Sequence, residues 1–218
     1  MASNPQHGAP RAAPRLYLVT PPVTETATLA DIFPAVLAAA DIAAVLLRLA
    51  PADERSLTNR VKALAPIVQG KGVALIVDGH PEIVARAGAD GCHLSDVSAL
   101  RSAAAAIKPA RILGAGGLKT RHDAMSAGEA GADYVMFGEP DADGLRPSFA
   151  AIVERVAWWA EVFEIPCVAF AEQFAEVEEL CAAGADFIAL GDAAFSDPRG
   201  CVAAVGDAAK HLTVRAPA

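Results

Sequence analysis

The sequence predicts one (β/α)8 barrel, and three observations point there. A pattern in which a helix stops and a strand starts recurs three times, as ARAGADGCHLSD at 85–96, GEAGADYVMFGE at 128–139 and CAAGADFIALGD at 181–192. Eight short apolar runs alternate strictly with eight helical stretches, the grammar of a parallel sheet crossed by helices. With 218 residues, 54% of them hydrophobic, the chain has material for one core and no room for a second domain. Eight such units close naturally into a barrel, although a doubly wound open sheet shows the same alternation.

Residues 1–14 carry no apolar core and read as a disordered lead-in, so the barrel domain is assigned to 15–218. The first strand is the run near 16–20 (LYLVT), followed by a helical stretch near 29–40. A second strand near 44–49 (AVLLRL) precedes a helix near 54–69, and a third near 73–77 (VALIV) precedes a helix near 82–87. That helix stops at Gly88, where a missing Cβ permits the left-handed conformation, and Ala89-Asp90 lead at once into a strand near 91–94. A helix near 97–107 and a strand near 111–115 (RILGA) come next. The second repeat then ends a helix near 121–130 and begins a strand near 134–138. After a helix near 149–163 and a strand near 167–171, the third repeat ends a helix near 174–183 and begins the strand near 187–190. The last helix falls near 199–211. The runs are continuously apolar rather than alternating, as expected of parallel strands covered on both faces.

Lys and Arg number 18 against 26 Asp and Glu, a net charge of −8. Nucleic acid and anionic membrane surfaces need a concentrated basic face, so both are excluded as partners, leaving a small molecule or a protein. The richest apolar stretch, 32–49, is cut by Pro34, Asp41 and Arg48, and no segment spans a bilayer. A cytoplasmic location follows. Cys92, Cys167, Cys181 and Cys201 form no CxxC pair and read as buried, reduced thiols. Of the successive helical residues Trp158 and Trp159, one must face outward, a hint of a homodimer contact.

In a barrel the chemistry sits on the loops after the strands. Arg48 ends an apolar strand, where its guanidinium would grip a phosphate or carboxylate, or pair with a neighbouring acid. Asp78 is placed as a metal or general-base carboxylate, or as the acceptor of an Asx turn in D-G-H-P. His80 reads as solvated and His93 as a satisfied residue of the core or mouth. The glycines of ILGAGG, with Gly116 and Gly117 at the strand exit, would cradle an anion on backbone amides or simply serve a tight turn. Glu139, Glu172 and Asp192, the last after Gly191, each follow a strand and with Asp78 and Asp96 would ring the mouth with carboxylates. No nucleophile with a nearby base emerges.

The ordered set LYLVTPP, VLLRLA, ALIVDGHPEIVARAGADGCHLSD, RILGAGG, AGEAGADYVMFGEP and IPCVAFAE with AAGADFIALGD resembles the thiamine phosphate synthase family and its sister thiazole tautomerases, over residues 15–198. The resemblance implies a (β/α)8 fold and a reaction that joins hydroxymethylpyrimidine diphosphate to a thiazole phosphate, releasing pyrophosphate with the help of Mg²⁺. It carries Arg48 over as a diphosphate contact and Asp78 as the metal carboxylate. The second metal aspartate falls on Ser98, with Asp96 as its nearest substitute. The family's serine in the glycine loop becomes Gly116, the histidine of tautomerases becomes Leu118, and the stretch after Gly138 reads Glu139-Pro140-Asp141-Ala142-Asp143, without lysine. The glycine pair that receives the thiazole phosphate reads Ala171-Glu172, and the later serine reads Asp192.

The resemblance therefore implies a thiamine phosphate synthase-like protein of thiamine biosynthesis with a divergent site and weak or altered activity. Its substrate contacts would be Arg48, Gly116, Gly117, Glu139, Glu172, Gly191 and Asp192, and Asp78 and Asp96 would hold Mg²⁺. The alternative is a non-catalytic barrel that takes a cationic or neutral ligand, or a protein partner, at an acidic mouth.

Overall fold

The computed structural model describes residues 12–141 and 143–212. Its strands are β1 (Arg15–Val19), β2 (Ile42–Leu47), β3 (Ala74–Asp78), β4 (Gly91–Leu94), β5 (Ile112–Ala115), β6 (Tyr134–Phe137), β7 (Cys167–Ala171) and β8 (Phe187–Leu190). All pair in parallel in sequence order, and β8 closes on β1, so the open-sheet alternative falls. The outer layer comprises α1 (Ala27–Val36), α2 (Glu54–Gln69), α3 (Pro81–Ala87), α4 (Val97–Ile107), α5 (Arg121–Glu129), α6 (Phe149–Val162) and α7 (Val177–Ala183), the last preceded by a 3-10 turn at Phe174–Glu176. After β8 the chain makes two helices, α8 (Asp192–Phe195) and α9 (Cys201–Lys210). The four residues of α8 are too few to leave a periodic signal, which is why the sequence reading passes over them. Of the expected lead-in, residues 1–11 lie outside the described residues, and Pro14 is already buried.

The strands sort their side chains into two apolar layers, as period-two geometry requires. Tyr17, Val19, Leu46, Ile76, Tyr134, Met136, Val168 and Phe170 fill the barrel interior, while the larger cluster lies between sheet and helices. Inside, Gly114 is obligatory, because a Cβ there would stand 2.1 Å from Cζ of Tyr134. Trp159 is fully buried, stacks on Phe163 at 4.1 Å and donates from Nε1 to the Ile165 carbonyl at 2.7 Å. Its neighbour Trp158 is half-buried beneath the Arg121 guanidinium. All four cysteines are buried. Among the described residues no helix is long and apolar enough to cross a membrane.

The three repeats have a structural explanation. Gly88, Gly131 and Gly184 take left-handed φ values of 78°, 92° and 102°, which reverse the chain after α3, α5 and α7. The aspartate two residues later reaches back to the preceding strand. Oδ2 of Asp90 accepts from the Leu75 N–H at 2.7 Å, Asp133 from Leu113 at 2.8 Å and Asp186 from Cys167 at 2.8 Å. Each repeat thus pins the first amides of one strand to the start of the next, which keeps neighbouring strands in register and their exits level.

Candidate functional site

The level exits enclose a cavity of about 1090 Å³ whose walls include Arg48, Asp78, Gly117, Glu139, Glu172 and Asp192. Arg48 follows directly on β2, and its backbone N–H donates to the buried Thr20 hydroxyl at 3.0 Å, which fixes where the side chain leaves the barrel. Asp78 ends β3, and one carboxylate oxygen stands 3.6 Å from Nε of Arg48. The cavity also receives three cations from elsewhere: Lys119, Arg146 and Arg155. The mouth is therefore of mixed charge, with carboxylates offset by cations, rather than a ring of acid.

The floor is a buried hydrogen-bond chain. The hydroxyls of Tyr17 and Tyr134 are 2.7 Å apart, and that of Tyr134 lies 2.9 Å from Nδ1 of His93. Burial holds His93 neutral, pushing its pKa from 6.5 down to about 4 against the opposing pull of Asp78. Burial also raises both tyrosines well above their ordinary value. His93 turns Nε2 towards Gly116, whose absent Cβ would stand 2.4 Å from that nitrogen and 2.3 Å from Oε1 of Glu139. Burial likewise pushes Glu139 up to about 7, although the Gly117 N–H bonded to its Oε1 works in the other direction. A neutral imidazole and a carboxyl poised near neutrality thus stand side by side.

The glycine turn after β5 does hold an anion, and it is the chain's own. Gly117, at φ 63°, presents its N–H to the Glu139 carboxyl. The same arrangement recurs after β7, where Oε2 of Glu176 accepts from the Glu172 N–H at 2.8 Å. Arg146 joins that second cluster, with Nη1 2.8 Å from Oε2 of Glu172 and 3.2 Å from Oε2 of Glu176. Gly191 is buried against Phe170, whose Cζ would meet an added Cβ at 2.9 Å, and Asp192 is the exposed first residue of α8. Gly116 and Gly191 thus serve close packing beneath the mouth.

Asp78 and Asp96 are differently placed for a metal. Asp78 is half-buried and faces the cavity, whereas Asp96 lies outside its lining and caps α4, accepting the Ala99 N–H at 2.7 Å. Among the described residues no group of three or more His, Cys, Asp or Glu side chains is arranged to hold a metal ion. One carboxylate suffices where substrate phosphates and water complete the shell of Mg²⁺, and Asp78 is the residue that fits. His80 pairs with Glu82 at 3.2 Å on the surface.

Sequence reasoning missed Lys119, Arg146 and Arg155 among the cations, and the chain from Tyr17 to Tyr134. Lys119 carried a signal, since it follows the Gly116-Gly117 turn by two residues. Arg155 reaches in from α6 and is steadied by donating to the Leu118 carbonyl at 2.8 Å. Arg146 sits in an irregular loop without any periodic pattern.

Residues 16–194 match the family profile described as "Thiamine monophosphate synthase". The thiamine-phosphate synthase of Rhodospirillum centenum is 39% identical over 196 residues, covering 88% of this chain and 95% of that protein. That of Hyphomonas neptunium is 34% identical over 207 residues, covering 90% and 92%. Among solved structures, thiamine phosphate pyrophosphorylase from Pyrococcus furiosus superposes with a TM-score of 0.74 at 20% identity, over 91% of this chain and 95% of that one, and so shares the fold. Sequence, coverage and barrel agree, and the chain belongs to the thiamine monophosphate synthase family.

Proposed function

We propose that the protein carries out a thiamine phosphate synthase-type transfer at this mouth, in the cytoplasm, with weak turnover of the family's usual substrates. A C–N bond forms between the thiazole nitrogen and the pyrimidine methylene carbon, the methylene C–O bond breaks, and pyrophosphate leaves with the bonding electrons. The observation that carries this reading is Arg48 and Asp78 facing one cavity whose walls also include Lys119 and Arg155. Arg48 would bind and orient the diphosphate in its two-pronged fashion. Lys119 and Arg155 would offset the charge of the departing group. Asp78 would hold Mg²⁺, which when bound neutralises diphosphate oxygens. Weak turnover follows from Glu139 and Glu176 occupying the backbone amides at Gly117 and Glu172, the type of donor that otherwise seats a substrate phosphate.

The test is incubation of the purified chain with hydroxymethylpyrimidine diphosphate, thiazole phosphate and Mg²⁺. Thiamine phosphate should form about 10²–10³-fold more slowly than with an active family enzyme, the loss expected from removing anion-stabilising donors. No product from any thiazole acceptor would refute the reading. A second reading, a non-catalytic barrel for a neutral or cationic ligand, is favoured by the same two filled amides, and stabilisation by amines without turnover would support it.

A further inference from the structure

Barrels of this architecture commonly seat a phosphate on the loops after β7 and β8, beside a short extra helix. This chain has each of those parts and places acid in all of them. Glu172 leaves β7, Glu176 lies in the 3-10 turn that follows, and Asp192 opens the short α8. Glu176 is 14% exposed and already accepts both the Glu172 N–H and the Arg146 guanidinium. Arg146 is itself 10% exposed, reaches this point from the loop between β6 and α6, and divides Nη1 between Glu172 and Glu176 while Nη2 takes the Phe170 carbonyl at 3.3 Å. Its buried Nε is the one guanidinium nitrogen with no partner among the described residues.

Resting on the transfer proposed above, we infer that this seat is filled by the chain's own carboxylates and that the acceptor's end group here is uncharged: the substrate is a thiazole alcohol, not its phosphate. A phosphate arriving here would meet Glu172, Glu176 and Asp192 with a single guanidinium already shared between two of them, and repulsion between like charges rejects it. A hydroxyl brings no charge and so escapes that repulsion. The arrangement is specific rather than merely acidic, because the Glu172 N–H and Nη1 of Arg146 are both bonded to the chain's own carboxylates.

The experiment compares the thiazole alcohol with its phosphate on the full chain, by calorimetric binding and by product formation with hydroxymethylpyrimidine diphosphate and Mg²⁺. The wild type should bind the alcohol at least about tenfold more tightly than the phosphate and give more product from it. A Glu172→Gly, Glu176→Gln double variant should move the preference about tenfold or more towards the phosphate, and adding Arg146→Met should cancel that gain. The wild-type comparison decides alone if the variants do not fold. Tighter binding of the phosphate, equal binding, or binding of neither form overturns the inference. Preference for the alcohol without product from either acceptor would leave the inference standing and remove the transfer reading, whereas faster product from the phosphate would do the reverse.

Discussion

Nε2 of His93 and Oε1 of Glu139 converge on one point, the place a Cβ of Gly116 would occupy, at 2.4 Å and 2.3 Å. A neutral ring and a carboxyl whose pKa lies near 7 therefore share a wall of the cavity that exists because residue 116 has no side chain.

Gly116→Ala should accordingly disturb the site before it disturbs the fold. The methyl group must displace both the Glu139 carboxyl and the His93 ring, and overpacking of this kind costs about 1–3 kcal/mol. Thermal unfolding should show that loss. Product formation from the thiazole phosphate should not fall in proportion, since displacing Glu139 frees the Gly117 N–H that its carboxyl fills.

Glu139 gives stability a pH dependence. Its carboxyl has a folded pKa raised from 4.5 to about 7, so below 4.5 both folded and unfolded chains hold the proton. Between 4.5 and 7 the unfolded chain releases it first, and stability declines as pH rises. The carboxyl keeps an edge on the cavity, so about 1–2 kcal/mol is expected rather than the full linkage value. Denaturant titrations at pH 4.5 and 8 should show this decline in the wild type relative to Glu139→Gln, and parallel curves would contradict it.

His93 slopes the other way. With its pKa lowered from 6.5 to about 4, the imidazole is neutral in both states above 6.5, and stability falls as pH drops towards 4 because the unfolded chain binds the proton. The side chain is 2% exposed, and linkage over that interval amounts to about 3 kcal/mol relative to His93→Gln. Between pH 4.5 and 6.5 the two residues oppose each other, so the wild-type profile should be flatter than that of either variant. In NMR titrations the His93 ring protons should stay constant from pH 8 to 5.

The barrel was legible because its signals are local. Gly88, Gly131 and Gly184 mark helix ends, and continuous apolar runs mark buried parallel strands. Arg48 and Asp78 were legible by position, since a strand exit in a barrel faces the mouth. What escaped is what long-range packing creates. Nothing local says that Arg146 will cross to Glu176, that Gly117 will bind Glu139, or that Tyr134 will lie over Gly114. The helix expected near 29–40 ends at Val36, and β2 begins at Ile42 rather than near 44, because burial of Ile42 beside Leu16 sets the boundary. Asp96 illustrates the limit of position alone: its carboxylate follows a strand yet is committed to the cap of α4.

The two tryptophans should separate in mutagenesis. Trp159→Ala removes a fully buried ring, its stack on Phe163 and its bond to Ile165, and should cost about 3–5 kcal/mol. Trp158→Ala removes a half-buried ring beneath Arg121 and should cost about 1 kcal/mol. Sedimentation of the Trp158 variant tests the homodimer expectation in the same samples, since a shared contact there would raise the monomer fraction.

Arg48 should matter to turnover and little to folding. At 3.6 Å, with side chains 31% and 29% exposed, its pair with Asp78 is solvent-screened, and such pairs contribute about 0–1 kcal/mol. Arg48→Met keeps the apolar stem and removes the two-pronged donor, so unfolding should shift by no more than that amount. The kcat/KM for hydroxymethylpyrimidine diphosphate should drop about 10²-fold, as when one donor to developing negative charge is lost. Arg48→Lys should recover part of this, because a point charge replaces the fork without its geometry. Asp78→Asn should instead raise the Mg²⁺ concentration needed for half-maximal rate. If Arg48→Met lost stability while keeping its kcat/KM, the residue would belong to the frame of the mouth and the diphosphate would have to be held elsewhere, with Lys119 and Arg155 the next cations to replace.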